Sequence, residues 1–110
     1  MISIVIPVYN EKKSVRSLFE EIKQVLLEAK KPFEIIFVDD GSTDGTVTEL
    51  KSLSPLKIVC LRKNFGQTAA LDAGIKESRG SIVITLDGDG QNDPADIPAL
   101  LQAIEKNTDV

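Results

Sequence analysis

FEIIFVDDGSTDG, residues 33–45, decides the fold: a run of apolar and β-branched side chains breaks off abruptly into three aspartates, two glycines, a serine and a threonine. Nearly continuous apolar runs suit strands covered on both faces, and the polar break marks the carboxyl end of such a strand. Working outward, three more runs have the same character: ISIVIPV from Ile2, LKIVCL from Leu56 and SIVITL from Ser81. The intervals between them are long enough for crossover helices. The expectation is one layered α/β unit, with a parallel sheet, helices on both faces and right-handed crossovers.

The intervals read as helices with definable faces. Val15, Leu18, Phe19, Ile22, Leu26 and Ala29 recur at helical spacing, with Glu20, Lys23 and Glu28 opposite and Asn10 as the expected cap. A shorter helix after Asp44 carries Val47 and Leu50 inward. A third, from about Gln67 to Ser78, turns Leu71, Gly74 and Ile75 to the sheet and ends at Gly80. Asp93 as cap and Pro94 at the first position open a fourth, with Ile97, Leu100, Leu101 and Ile104 as its stripe. The apolar Val110 reads as the start of a further element, so the domain is expected to be cut short.

Composition limits the chemistry. The 110 residues carry 13 basic and 17 acidic side chains, a net charge of −4, which argues against a basic nucleic-acid binder. A chain of this size can bury about two-thirds of its surface, enough for one core. It contains no histidine, so acid, base and metal chemistry falls to carboxylates. Cys60 is the one cysteine; it excludes an internal disulfide, fits a reducing compartment and reads as a small core hydrophobe. No apolar run approaches the ~18 residues that cross a bilayer, and the first residues read as a strand rather than a signal peptide.

Ligands of open parallel sheets bind beyond the carboxyl ends of the strands, where loops and helix N-termini converge. Here those ends are polar: Tyr9, Asn10 and Glu11; Asp39 to Asp44; Arg62, Lys63, Asn64 and Gly66; and Asp87 to Asn92. Asp44 and Asp93 read as helix caps. Asp39 and Asp40 suit a turn or a ligand equally, because adjacent carboxylates repel and a cap needs only one. Asp87 and Asp89 around Gly88, with Gly90 and Gln91, form an oxygen-rich loop suited to Mg²⁺ or Mn²⁺. No P-loop or dinucleotide fingerprint is present, and the calcium-loop match starting at Asp40 fails because its twelfth position is Lys51. A phosphoacceptor receiver domain would need an acidic pair after the first strand, where Tyr9 and Asn10 stand.

Together, VIPVYNE (5–11), VDDGSTDGT (38–46), LRKNFGQTAALDAG (61–74) and LDGDGQNDPADIP (86–98) resemble, in order and spacing, the nucleotide-sugar-binding half of family two glycosyltransferases. The likeness is to their polyprenyl-phosphate branch, and it runs from Ile4 to about Ile104. It implies the three-layer, Rossmann-like GT-A fold, a UDP- or GDP-sugar donor, a divalent Mg²⁺ or Mn²⁺ ion, and a polyprenyl phosphate acceptor reached through a second half. By that resemblance Pro7, Tyr9 and Glu11 line the nucleotide pocket. Asp40, together with Asp39, contacts the base, and Asn64 and Gly66 lie near the ribose and phosphates. Asp87 is the ribose- or sugar-side member of the Asp-x-Asp motif, and Asp89 with Gln91 holds the metal. Gly90 departs from the branch, which commonly has an apolar residue there.

The resemblance leads to four further expectations: hexosyltransferase activity for the whole protein but not for this chain alone, a cytoplasmic location at the membrane face, no nucleic-acid partner, and homo-oligomers through surface left open. The contrasting expectation is a nucleotide-binding module that acts through a partner chain.

Overall fold

The computed structural model describes residues 1–86, 94, 97–99 and 102. Within them the chain alternates strand and helix: β1 Ile2–Val8, α1 Val15–Ala29, β2 Phe33–Asp39, α2 Thr46–Lys51, β3 Lys57–Cys60, α3 Gln67–Glu77 and β4 Ile82–Thr85. All the strand pairings are parallel, in the order β3-β2-β1-β4. β1 and β2 pair along their full length, from Ile2 opposite Phe33 to Val8 opposite Asp39, so their polar ends emerge side by side.

Alternation along the strands divides the core in two. Ile2, Ile4, Ile6 and Val8 of β1, with Ile35 and Phe37 of β2, pack under Val15, Leu18, Phe19, Ile22 and Leu26 of α1 and Leu50 of α2; Ile97 joins the same cluster. On the other face Val5, Ile36 and Val38 meet Ala70 of α3, with Leu71 and Ala73 alongside. That second face is thin because α3 lies almost on the sheet. A Cβ on Gly74 would come within 2.4 Å of Val5 Cγ1 and 2.8 Å of Val38 Cγ2, too close for any side chain.

Five expectations need correction. Asn10 does not cap α1: the residue before the helix is Ser14, and Asn10 takes a left-handed conformation (φ 52°) to meet a different loop. Ile75 points to solvent, 45% exposed, because the small residues Ala70, Ala73 and Gly74 hold the sheet side of α3. Val47 is only half-buried, while Thr46 and Leu50 form the inward side of α2. Gly80 lies past the helix end; α3 stops before Ser78, whose N–H donates to the Ile75 carbonyl. Cys60 is exposed rather than core, because β3 is an edge strand in the described sheet and Cys60 is its last residue. The proposed fourth helix falls largely outside the described residues. No helix among those described is long and apolar enough to cross a membrane.

At the amino end of the sheet, Glu34 closes a polar cluster. Its Oε2 accepts the Ser3 hydroxyl and, at 2.6 Å, the Arg79 N–H, and its Oε1 lies 3.7 Å from Lys57 Nζ. Ser3 Oγ in turn accepts the Gly80 N–H at 2.8 Å. Burial raises the Glu34 pKa, but the Ser3 and Arg79 hydrogen bonds and the charges of Lys57 and Arg79 outweigh it, so the net shift is downward.

Candidate functional site at the carboxyl rim

β2 carries the centre of the rim. Strand alternation sends the two neighbouring carboxylates apart. Asp39 accepts the Ser42 N–H on Oδ2 at 3.0 Å, closing the turn that its own residue begins. Asp40 reaches across to the loop after β3, where Oδ1 accepts the Phe65 N–H at 2.8 Å and Oδ2 the Gly66 N–H at 3.0 Å. Both are almost fully buried, at 2% and 4% exposure. Separate sets of backbone donors resolve the repulsion expected between adjacent acids.

Gly41 allows this convergence. Its φ of +79° suits glycine, and a Cβ there would lie 2.4 Å from the Lys63 carbonyl carbon and 2.6 Å from the Asn64 nitrogen. The β2 and β3 loops therefore touch backbone to backbone.

The rest of the acidic stretch ties the β1 loop down. The Asn10 N–H donates to Ser42 Oγ and the Thr43 N–H donates to Asn10 Oδ1, both at 2.8 Å. The Lys12 N–H donates to Asp44 Oδ2, and the Glu11 N–H to Thr46 Oγ1 at 3.0 Å. Asp44 Oδ1 also accepts the N–H and the hydroxyl of Thr46, so it supports the start of α2 from one residue further out than the expected cap, a position that Gly45 takes instead. The Thr46 hydroxyl heads the interactions that hold the Asp44 pKa below its ordinary value. The sequence placed Asn10 and Ser42 on the rim without a role there, and it did not single out fully buried Thr46; these three tie the loops together. Their signal was small polar side chains placed between the acids.

The remaining expected site residues are distributed as follows. Pro7 is buried within β1, Tyr9 is 44% exposed at the strand's end, Glu11 is half-buried, Asn64 is exposed, and Gly66 has a φ of +101°. Asp87, Asp89 and Gln91 lie outside the described residues; Leu86, just before them, donates its N–H to the Val5 carbonyl beside β1. Among the described residues no three His, Cys, Asp or Glu side chains gather in a group that could hold a metal ion. One buried polar side-chain atom among them has no hydrogen-bond partner, and it is Asp39 Oδ1.

The sequence profile of Glycosyl transferase family 2 matches residues 3–110. The chain belongs to glycosyltransferase family 2. This family 2 chain is 43% identical over 110 residues to dodecaprenyl-phosphate galacturonate synthase of Rhizobium johnstonii, covering 96% of the chain and 32% of that protein. It is 44% identical over 114 residues to undecaprenyl-phosphate 4-deoxy-4-formamido-L-arabinose transferase of Pseudomonas fluorescens, covering 99% and 34%. The family 2 chain thus spans about a third of the length of the curated relatives it matches. Among solved structures, glucosyl-3-phosphoglycerate synthase from Mycobacterium tuberculosis, in complex with Mn²⁺, UDP and phosphoglyceric acid, superimposes with a TM-score of 0.77. That match has 26% identity over 94% of this chain and 38% of that one. The expected GT-A arrangement of parallel strands and flanking helices holds.

Proposed function

We propose that the carboxyl rim binds the nucleoside diphosphate of a sugar donor, and that the chain is the donor-binding part of an enzyme that transfers the sugar to a polyprenyl phosphate. The observation that carries the reading is Asp39. Its carboxylate is buried, one oxygen is held by Ser42, and the other has no partner among the described residues. An unpaired buried acceptor costs about 1–3 kcal/mol, which a ligand N–H would offset. The N–H edge of a nucleobase is such a donor, and each Asp40 oxygen keeps lone-pair capacity beside its backbone bond. The lipid-phosphate acceptors in the relatives' names, and the UDP and Mn²⁺ in the structural neighbour's, support the same reading.

On this reading Tyr9 and Glu11 flank the base with Pro7 behind them, and Asn64 and Gly66 lie toward the ribose and phosphates. The acceptor phosphate oxygen attacks the anomeric carbon, the bond from that carbon to the donor's diphosphate breaks, and the nucleoside diphosphate leaves with the electron pair. Because the acceptor is already anionic, the missing histidine is no obstacle. A divalent ion, Mg²⁺ or Mn²⁺, would supply charge neutralisation for the leaving diphosphate, with Asp89 and Gln91 as the residues to hold it and Asp87 beside the sugar. This span binds donor without completing transfer, since positioning both reactants is worth up to ~7–11 kcal/mol of barrier and every recognised cluster serves one of them.

Calorimetry with UDP, GDP and their sugars, with Mn²⁺ and with EDTA, tests the reading. Binding should require the metal, and Asp89→Asn should weaken it roughly ten- to a hundredfold, the equivalent of one charge-assisted contact. Equal affinity in EDTA and Mn²⁺ would overturn the metal assignment, and no binding of either nucleotide would overturn the whole.

A further inference from the structure

The N–H groups of Asn10, Glu11 and Lys12, in succession after β1, are all taken by side chains of one other loop. Asn10 donates to Ser42 Oγ at 2.8 Å, Glu11 to Thr46 Oγ1 at 3.0 Å and Lys12 to Asp44 Oδ2 at 3.2 Å. In parallel α/β sheets the N–H groups of a loop ahead of a helix are ordinary donors to a bound anion. Here they are already satisfied, so the β1 loop is fastened in place rather than left open to a phosphate.

Asn10 fastens with its side chain as well as its backbone, since its Oδ1 accepts the Thr43 N–H at 2.8 Å. It does so at a φ of 52°, in the left-handed region that asparagine tolerates and most side chains resist. Lys30 also has a positive φ, but it ends α1 in the usual left-handed way, whereas Asn10 ends no helix. The core does not hold Asn10 there, because Asn10 and Thr43 are exposed and Ser42 is only half-buried. What the conformation fixes is the chain on either side, Tyr9 and Glu11. Ser42 is itself held through its N–H by Asp39 Oδ2 at 3.0 Å. A line of hydrogen bonds therefore runs from the carboxylate with the open oxygen to the residue between Tyr9 and Glu11. A sparsely populated backbone conformation kept by reciprocal bonds at a binding rim is a mark of pre-organisation.

We infer that Asn10 is a positioning residue of the donor site: it acts through Ser42 and Thr43 to set Tyr9 and Glu11 beside Asp39 before the nucleotide arrives. The inference rests on the donor reading above and adds to it a residue that does not touch the donor. With the clasp closed, the base enters a formed pocket. With it open, binding must first order the loop, and that cost is subtracted from the affinity.

The test is calorimetry of the purified chain with UDP and with GDP in Mn²⁺, beside urea melts of the same variants. Asn10→Gly keeps access to the left-handed backbone but loses the acceptor for Thr43, and should weaken binding roughly five- to tenfold, the equivalent of one hydrogen bond. Asn10→Asp keeps an acceptor there and should recover most of that loss at high salt, where its added charge is screened. Ser42→Ala removes the acceptor for the Asn10 N–H and should weaken binding to a similar extent. The double variant Asn10→Gly/Ser42→Ala should bind no more weakly than the worse of the two, because both changes open one clasp. Arg16→Ala breaks a different tie between the same elements, to Glu49 and Ser52, and should lower the melting midpoint while leaving affinity at the parent's value. Parent-like affinity in Asn10→Gly, losses that multiply in the double variant, or an equal loss in Arg16→Ala would overturn the inference. A parent chain that binds neither nucleotide defeats the donor reading and this one with it, whereas a binding parent with an unaffected Asn10→Gly defeats this one alone.

Discussion

Each end of the sheet holds a carboxylate among hydrogen-bond donors, and the two differ in depth and in one atom. At the amino end both oxygens of Glu34 have partners, from Ser3, Arg79 and Lys57. At the carboxyl rim Asp39 is buried where Glu34 is only half-buried, and its Oδ1 has no partner among the described residues. The first cluster is closed and fastens the turn before β4 to the start of β1 and β2. The second is incomplete, as expected where a ligand finishes the hydrogen bonding. The account of partners is what sets the two acids apart: that of Glu34 is complete, and that of Asp39 is open at one oxygen among the described residues.

The largest expected effects come from the glycine at each end. Gly41→Ala would push a Cβ into the Lys63 and Asn64 backbone at a φ that alanine resists, and Gly80→Ala would drive one to within 2.5 Å of the Met1 carbonyl oxygen. Each should lower stability by roughly 2–4 kcal/mol in urea melts, with Gly41→Ala the worse because strain adds to the clash. The comparison predicts that Gly80→Ala, where folded, keeps nucleotide affinity in calorimetry and Gly41→Ala loses it. Equal affinity in the two would show that the rim's backbone convergence is irrelevant to binding.

Next come the two carboxylates themselves. Glu34→Ala strands the Arg79 N–H and the Ser3 hydroxyl and should cost about 1–3 kcal/mol without altering nucleotide binding. Asp39→Asn should show the reverse, a small change in melting with at least tenfold weaker binding. If both variants lose only stability, Asp39 is as structural as Glu34 and the contrast between the ends fails.

Smaller still is the effect of Asp44→Ala. It removes the acceptor for Lys12 and for the start of α2, and should lower the melting temperature less than Glu34→Ala does, with base preference unchanged. The smallest is the pH dependence. Glu34 and Asp44 both have folded-state pKa values below their unfolded ones, so each adds stability that is present above the unfolded pKa and lost as pH falls through the folded one. Melting temperature should therefore fall as pH drops below the ordinary carboxylate range. Glu34→Gln and Asp44→Asn should each flatten part of that decline, and a profile unchanged by both would remove these groups as its source.

Much of this was legible in the chain alone, because the signals are local. The four apolar runs became the four strands, and the spacing of Val15, Leu18, Phe19, Ile22 and Leu26 became the buried stripe of α1, since side-chain periodicity follows from backbone geometry within one element. Asp44 as support for α2 was equally local, two residues from the N–H it accepts. For Asp87, Asp89 and Gln91, outside the described residues, the motif remains the basis of their assignment.

The sequence by itself determined the order of elements, the family and the rim on which the acids gather. Only the tertiary structure decided what each acid does there. Asp40 finds its partners 25 and 26 residues away, Asn10 finds its own 32 and 33 away, and Glu34 reaches 45 residues to Arg79. Those distances close only when β3, β2, β1 and β4 stand in that order, so no local pattern could announce them. The same holds for Cys60 and Ile75, whose exposure follows from an edge position and from which side of α3 is small enough to lie on the sheet. Periodicity fixes which residues can face inward, and packing between elements fixes which ones do.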